Sequence, residues 1–118
     1  MVRNNELDDL YFRFLNLKQA VEDVTKLETL DAIEEQILQF IAKTYLAGET
    51  LCVTDLVAKS GIASPVTIHK RLKHLRRTGY IRIEPVANEY PKKNVSLTPN
   101  AVRYFNELAR GLRAVGAS

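Results

Sequence analysis

The segment from residue 64 to residue 83, SPVTIHKRLKHLRRTGYIRI, constrains the fold more strongly than any other part of this sequence. Ser64 is a good helix N-cap, and Pro65 suits the first helical position because the amide there has no partner within the helix. Gly79 is a typical helix stop, since glycine readily adopts the left-handed conformation that ends many helices. The segment therefore predicts a helix over residues 64–78, followed by a strand.

This predicted helix has one apolar side and one basic side. The apolar residues recur at helical spacing and are predicted to be buried: Ile68, Leu72 and Leu75. From Ser64 to Arg82 the sequence holds six Lys/Arg residues and no Asp or Glu. An ordinary solvated helix usually carries charges of both signs, whereas a helix that enters the major groove of DNA is basic on its outer side. The pattern favours DNA contact.

Charge is divided unevenly along the 118-residue chain, which is long enough for one domain or one domain with an arm. Residues 1–40 hold nine Asp/Glu and four Lys/Arg, a net charge of −5. Residues 41–118 hold five Asp/Glu and thirteen Lys/Arg, a net charge of +8. We therefore expect only the second part to meet a polyanion.

Several other classes of protein are disfavoured. No apolar run is long enough to span a bilayer, and the start MVRNNELDDL is too polar for a signal peptide, so we expect no membrane association. The single cysteine, Cys52, excludes an intrachain disulfide, favours a cytoplasmic setting, and is interpreted as a core residue rather than a redox sensor. His69 and His74 are poorly spaced for one metal ion, and the sequence has no glycine-rich phosphate loop. We expect no metal, no cofactor and no enzymatic activity.

The N-terminal residues follow a heptad pattern that predicts a helix from about Asn5 to Lys26. Its apolar residues are separated by steps of 3, 4, 3, 4 and 3: Leu7, Leu10, Phe14, Leu17, Val21 and Val24. Because this repeat favours packing between helices of two chains, residues 1–28 are predicted to form an arm that makes a homodimer. The alternative is that the arm packs on its own domain.

Residues 29–112 predict one DNA-binding domain, and residues 113–118 a flexible tail. Asp31 and Glu34 form a capping-box pattern ahead of a helix that ends near Gly48, and residues 49–53 suit a minimal strand. Thr54 is expected to cap a short third helix that ends at Gly61. Residues 54–79 thus have the spacing of a helix-turn-helix. Strands at residues 80–84 and 94–97 then flank a basic loop, which predicts a β-hairpin wing before a last helix.

Two stretches resemble the MarR family of winged helix-turn-helix transcription regulators: VTDLVAKSGIASPVTIHKRLKHLRRTGYI at residues 53–81 and VSLTPNA at residues 95–101. The resemblance covers about residues 31–108 and implies a mainly α fold with a small β-hairpin (α+β). It also implies a pocket for a small aromatic effector where arm and winged domain meet, although plain core packing would explain the same residues: Tyr11, Phe14, Tyr45, Tyr104 and Phe105.

The sequence departs from the MarR pattern in two places. MarR-like wings usually carry an Asp-x-Arg element whose arginine enters the minor groove, whereas residues 88–93 read NEYPKK and have no arginine. MarR-like dimers also use a long pair of C-terminal helices, whereas this chain ends soon after Leu112. A dimer is therefore expected to depend more on the N-terminal arm.

We expect a sequence-specific transcription regulator, acting as a repressor on double-stranded DNA, with helix 64–78 in the major groove and the wing 85–94 near the minor groove or the backbone. The predicted DNA contacts are Ser64, Pro65, Val66, Thr67, His69, Lys70, Lys73, Arg77, Lys92 and Lys93. Arg71 and Arg76 are assigned to the DNA backbone or to salt bridges. The alternative is a winged-helix module that docks another protein, or a DNA-binding part of a replication or phage assembly.

Overall fold

The computed structural model describes residues 7–116, which form five α-helices and one three-stranded antiparallel sheet. The elements in chain order are α1 (Leu10–Thr25), α2 (Ala32–Leu46), β1 (Leu51–Cys52), α3 (Val53–Lys59), α4 (Pro65–Arg77), β2 (Ile81–Pro85), β3 (Lys93–Leu97) and α5 (Pro99–Gly116). The sheet order is β1-β3-β2, so the hairpin β2–β3 gains a short third strand beside β3. This architecture confirms the predicted winged-helix fold of the α+β class.

Contacts divide the described residues into two units. The arm unit contains the residues up to Lys26 together with those from Arg103 onward, and the winged unit contains Leu27–Val102. The division differs from the predicted boundaries at residues 28 and 112. Leu27 belongs to the winged unit because its side chain is buried there and only 6% exposed. The second half of α5 belongs with α1, because Gly111 of α5 lies directly against the side chain of Leu17.

The winged unit is built around one apolar core. Its largest fully buried side chains come from α2, α3, α4 and the start of β2: Ile37, Ile41, Leu56, Ile68, Leu72, Leu75, Tyr80 and Ile81. The turn between α3 and α4 passes through Gly61, whose φ of +67° is a conformation that glycine adopts without steric cost. Helix α3, this turn and helix α4 form the predicted helix-turn-helix.

The β-hairpin is held in a fixed register that runs from Ile81 opposite Leu97 to Pro85 opposite Lys93. Alternation along β3 buries Val95 and Leu97 against the core and leaves Ser96 exposed. Thr98 then caps α5, because its Oγ1 accepts a hydrogen bond from the backbone amide of Ala101 at 3.1 Å. The predicted wing and the predicted last helix are confirmed.

Three local predictions were wrong. Helix α1 begins at Leu10, so Leu7 precedes the helix, while Asn5 lies outside the described residues. Thr54 does not cap α3, because Cys52 pairs with Asn94 in the sheet and the helix starts at the next residue. The predicted tail at residues 113–118 does not hold for residues 113–116, which continue α5, and residues 117–118 lie outside the described part of the chain.

Candidate nucleic-acid interface

Helix α4 forms as its sequence predicts. The Oγ of Ser64 accepts a hydrogen bond from the backbone amide of Thr67 at 3.3 Å, and Pro65 occupies the first turn. The inward-facing residues are at most 2% exposed, which confirms that they belong to the core: Ile68, Leu72 and Leu75. Gly79, with φ of +91°, follows the C-cap Thr78 and allows the chain to leave the helix. The helix therefore has only one orientation in which its apolar stripe is buried.

The opposite side of α4 is exposed and positively charged. Val66 is 70% exposed near the start of the helix. The exposed cationic residues are Lys70, Lys73, Arg76 and Arg77, and His69 is exposed beside them. Within residues 7–116 none of these four cations makes an ion pair with an acidic side chain. Four positive charges without acidic partners, on successive turns of one side of the helix, attract phosphate groups.

Two of the predicted contacts at the start of α4 already have partners in the chain. Thr67 is half-buried, and its Oγ1 accepts a hydrogen bond from the Ser64 hydroxyl at 3.1 Å. The same Ser64 oxygen accepts from the Thr67 amide, so these two residues mainly close the first turn. Pro65 and Val66 remain exposed at the end of the helix where a recognition helix meets base edges.

The wing presents its two lysines differently. The Nζ of Lys92 lies 3.5 Å from Oε1 of Glu89, so its charge is partly compensated. Lys93 stands at the start of β3, is exposed, and has no acidic partner in the part of the chain that the structure describes. Tyr90 lies in the loop between the end of β2 and these two lysines, and its side chain is 92% exposed. The tip of the wing is thus aromatic and basic.

A groove of about 440 Å³ runs between α4 and the wing. Its charged or polar walls come from His69, Lys73 and Arg76 on one side and from Lys93 on the other. Tyr90 and Pro91 complete the wing side, and the floor is apolar: Val53, Leu72 and Ile83. The structure therefore places Lys73 and Lys93, two DNA contacts predicted from separate stretches of the sequence, in one groove. Arg76 lines the same groove.

Two half-buried residues of α4 contact the start of α2. Arg71 forms a salt bridge with Asp31, with 3.1 Å between Nη2 and Oδ2, which confirms one of the two roles expected for it. His74 contacts the buried carboxylate of Glu34 through Nδ1. The sequence does not reveal these pairs, because their members are 40 residues apart and nothing local links them.

The predicted dimerisation residues differ in how far their side chains are exposed in the single chain. Val21 is 6% exposed, whereas Leu10 is 45% and Val24 59% exposed. Phe14 and Leu17 are half-buried. Further exposed apolar side chains on α1 are Tyr11, Phe12 and Leu15. Part of the heptad seam is thus used inside the arm unit, and part remains uncovered.

The remaining sequence predictions concern ligands and other sites. Of the aromatic residues expected around an effector, Tyr45 lies in the winged unit and the other four in the arm unit, where Tyr104 packs edge-on against Phe105 with ring centroids 5.4 Å apart. Cys52 is half-buried and free. The described residues contain no cluster of three or more His, Cys, Asp or Glu side chains that would hold a metal ion. They also contain no helix with both the length and the apolarity needed to cross a membrane.

A comparison with protein-family models and one with curated proteins each found no match. Solved structures are similar. A MarR-like transcription regulator from Bacillus cereus has a TM-score of 0.56 and 15% identity, over 91% of this chain and 71% of that one. NadR in complex with 4-hydroxyphenylacetate has a TM-score of 0.56 and 15% identity, over 94% and 73% of the two chains. BpsR of Bordetella bronchiseptica, whose DNA binding is regulated by 6-hydroxynicotinic acid, has a TM-score of 0.53 and 16% identity, over 99% and 82%. The likeness confirms the MarR-type winged-helix fold.

Proposed function

We propose that this chain, with its MarR-type fold, is a sequence-specific transcription regulator that binds double-stranded DNA and acts as a repressor. The observation that carries the proposal is the outer side of α4, where four cations are exposed without an acidic partner in the described chain. Surface helices ordinarily pair such charges, whereas a DNA-binding helix leaves them for phosphates and base edges.

In the proposed complex, helix 64–78 lies in the major groove. Pro65 and Val66 meet the base edges first, and Lys70 and Lys73 reach guanine edges or phosphates one and two turns later. The wing 85–94 approaches the minor groove or the adjacent backbone, with Lys93 as its main charge. Because the groove between α4 and the wing is basic on both walls, one sugar–phosphate strand fits between the two elements.

The decisive experiment is the double substitution Lys70→Ala with Lys73→Ala. A duplex is first selected from genomic fragments by the unsubstituted protein, and its affinity is then measured at several salt concentrations. We expect the double variant to lose specific binding, because it removes two of the proposed contacts to guanine edges or phosphates in the middle of α4. We expect its melting temperature to fall by no more than a few degrees, since both residues are exposed.

A matched control is Lys43→Ala with Arg103→Ala, which removes the same charge from exposed positions on α2 and α5 that make no ion pair in the described residues. That variant should weaken binding only through the general loss of positive charge. If the α4 variant and the control bind the selected duplex equally well, α4 is not the recognition helix. A steep fall of affinity with added salt separates DNA binding from docking onto a protein, and preference over random DNA shows specificity.

A small aromatic acid is the proposed effector. The support is that two structures with this fold concern 4-hydroxyphenylacetate and 6-hydroxynicotinic acid. Both compounds should be added to the complex with the selected duplex, with benzylamine as an aromatic compound of opposite charge. Release of DNA by an acid and not by the amine is the expected result, and equal behaviour of all three contradicts it.

A further inference from the structure

The C-terminal half of α4 is held by charged side chains at the start of α2. Asp31 lies 3.1 Å from Arg71, and Glu34 contacts His74. We call these four residues the clamp. Glu34 has a side chain only 4% exposed, and that of His74 is 33% exposed, so this contact is partly shielded from water. Hydrogen bonds to charged groups in such surroundings are both stronger and more directional than surface ion pairs.

Each acid of the clamp does two things at once. Asp31 caps α2 through Oδ1, which accepts from the amide of Glu34 at 2.8 Å, and faces Arg71 through Oδ2. Glu34 completes the capping box through Oε1, which accepts a hydrogen bond from the backbone amide of Asp31 at 3.1 Å. Its other oxygen, Oε2, contacts His74. The same two carboxylates therefore begin one helix and hold another.

The segment that precedes α2 makes further contacts with His74 of the clamp and with the residues that follow α4. The Tyr80 hydroxyl donates a hydrogen bond to the backbone carbonyl of Glu28, and the Glu28 carboxylate lies 3.9 Å from Nε2 of His74. Leu27 is buried, and a Cβ at Gly79 would lie 3.9 Å from its Cδ2. Residues 27–31 thus contact α4 at Arg71 and His74, and also contact Gly79 and Tyr80, which follow the helix.

Burial of Ile68, Leu72 and Leu75 fixes which side of α4 faces the core. Hydrogen-bonded ion pairs add directional contacts on a second side of the helix, and these refine its orientation further. Base-edge recognition depends on hydrogen-bond geometry and is sensitive to small rotations of the helix about its axis. Arg71 and His74 are three residues apart on one side of α4, where a charged contact opposes rotation directly.

We propose that Asp31, Glu34, Arg71 and His74 are positioning residues that set the orientation of α4 and thereby its preference for a specific duplex. The proposal rests on the proposed function of α4 as a recognition helix. It predicts that loosening the clamp lowers affinity for the selected duplex more than affinity for random DNA. Non-specific binding depends on charge and tolerates a change of orientation that base-edge contacts do not.

The test is the double substitution Asp31→Asn with Glu34→Gln. Asn is as good an N-cap as Asp, and Gln is a normal member of a capping box, so α2 keeps its start. Only the charges that face α4 are removed. The control is Glu49→Gln with Glu84→Gln, two exposed acids of the winged unit that make no ion pair in the described residues and whose removal changes the net charge equally.

We expect the clamp variant to bind the selected duplex about tenfold more weakly than the control, the loss expected for about one weakened base contact, while both bind random DNA alike. Backbone amides of residues 72–77 should exchange with solvent about tenfold faster than in the control, with β2 and β3 unchanged. A lower melting temperature with an unchanged ratio of specific to random binding would overturn the proposal, because it would show a purely structural role.

The two proposals fail in different ways. If the unsubstituted protein selects no duplex, the proposed function is wrong, and amide exchange then decides alone whether the clamp holds α4. If it selects a duplex that the clamp variant binds as well as the control does, the proposed function stands and the clamp is not a positioning device.

Discussion

Ser64 caps α4 through its Oγ. We propose that the same exposed end of the helix also binds a DNA phosphate, and substitution of Ser64 separates the two roles. Ser64→Ala should lower the free energy of unfolding by about 1 kcal/mol, because the Thr67 amide loses its acceptor. Ser64→Asp should keep the cap, yet weaken DNA binding strongly, because a carboxylate would face phosphate.

Chemical denaturation measures the first effect, and titration of the selected duplex measures the second. Ser60→Ala is a suitable comparison, since Ser60 lies at the end of α3, outside α4. If Ser64→Asp binds DNA as tightly as the unsubstituted protein does, the start of α4 does not approach the DNA backbone.

The wing, as an element, allows a comparison of two adjacent lysines. Lys93 lines the groove beside α4 and has no acidic partner in the described chain, whereas Lys92 lies 3.5 Å from Glu89. Lys93→Ala should reduce the slope of log affinity against log salt by about 1, the change expected for one lost phosphate contact. Lys92→Ala should leave the slope nearly unchanged.

The slopes are measured by titrating the same duplex at four or more salt concentrations for each variant. Circular dichroism should show both variants folded, because both lysines are exposed. Equal slopes for the two variants would contradict the assignment of Lys93 as the main charge of the wing.

Elements whose signals lie close together in the sequence were predicted well. The Ser64 cap and the Asp31–Glu34 capping box both join residues three positions apart, so a short window contains the complete signal. The stop at Gly79 depends only on the conformation that glycine tolerates. Recognition of α4 as a basic, amphipathic helix needed nothing beyond its own residues.

Features that depend on distant residues were not predictable in the same way. Helix α5 continues through Gly111, a poor helix former, because the absence of a side chain lets Leu17 pack there: a Cβ would lie 2.3 Å from its Cδ1. Thr54 failed as a cap because pairing of Cys52 with Asn94 fixes where α3 starts. The clamp joins residues 40 apart, and periodicity carries no information about such contacts.

At the scale of the whole molecule, the exposed apolar side of α1 favours a dimer of two chains. Leu10 and Val24 are 45% and 59% exposed at the two ends of α1, with Tyr11, Phe12 and Leu15 also exposed. A symmetric dimer would present two copies of α4, which should read half-sites about 34 Å apart, one turn of DNA.

The double substitution Leu10→Arg with Val24→Arg tests this assembly. Burying the two arginine charges at the interface would cost desolvation free energy, and the apolar contacts that stabilise the dimer would be lost. We expect sedimentation to show a dimer for the unsubstituted protein and a monomer for the variant. Leu46→Arg is the control, since Leu46 is 82% exposed at the end of α2 and should leave the dimer intact. The monomeric variant should bind a single half-site with the same affinity as the control. It should lose the higher affinity for a paired site, because a dimer that binds one half-site binds the second as an intramolecular event. A variant that remains dimeric would place the interface elsewhere, and a monomeric unsubstituted protein would remove the expectation of paired half-sites.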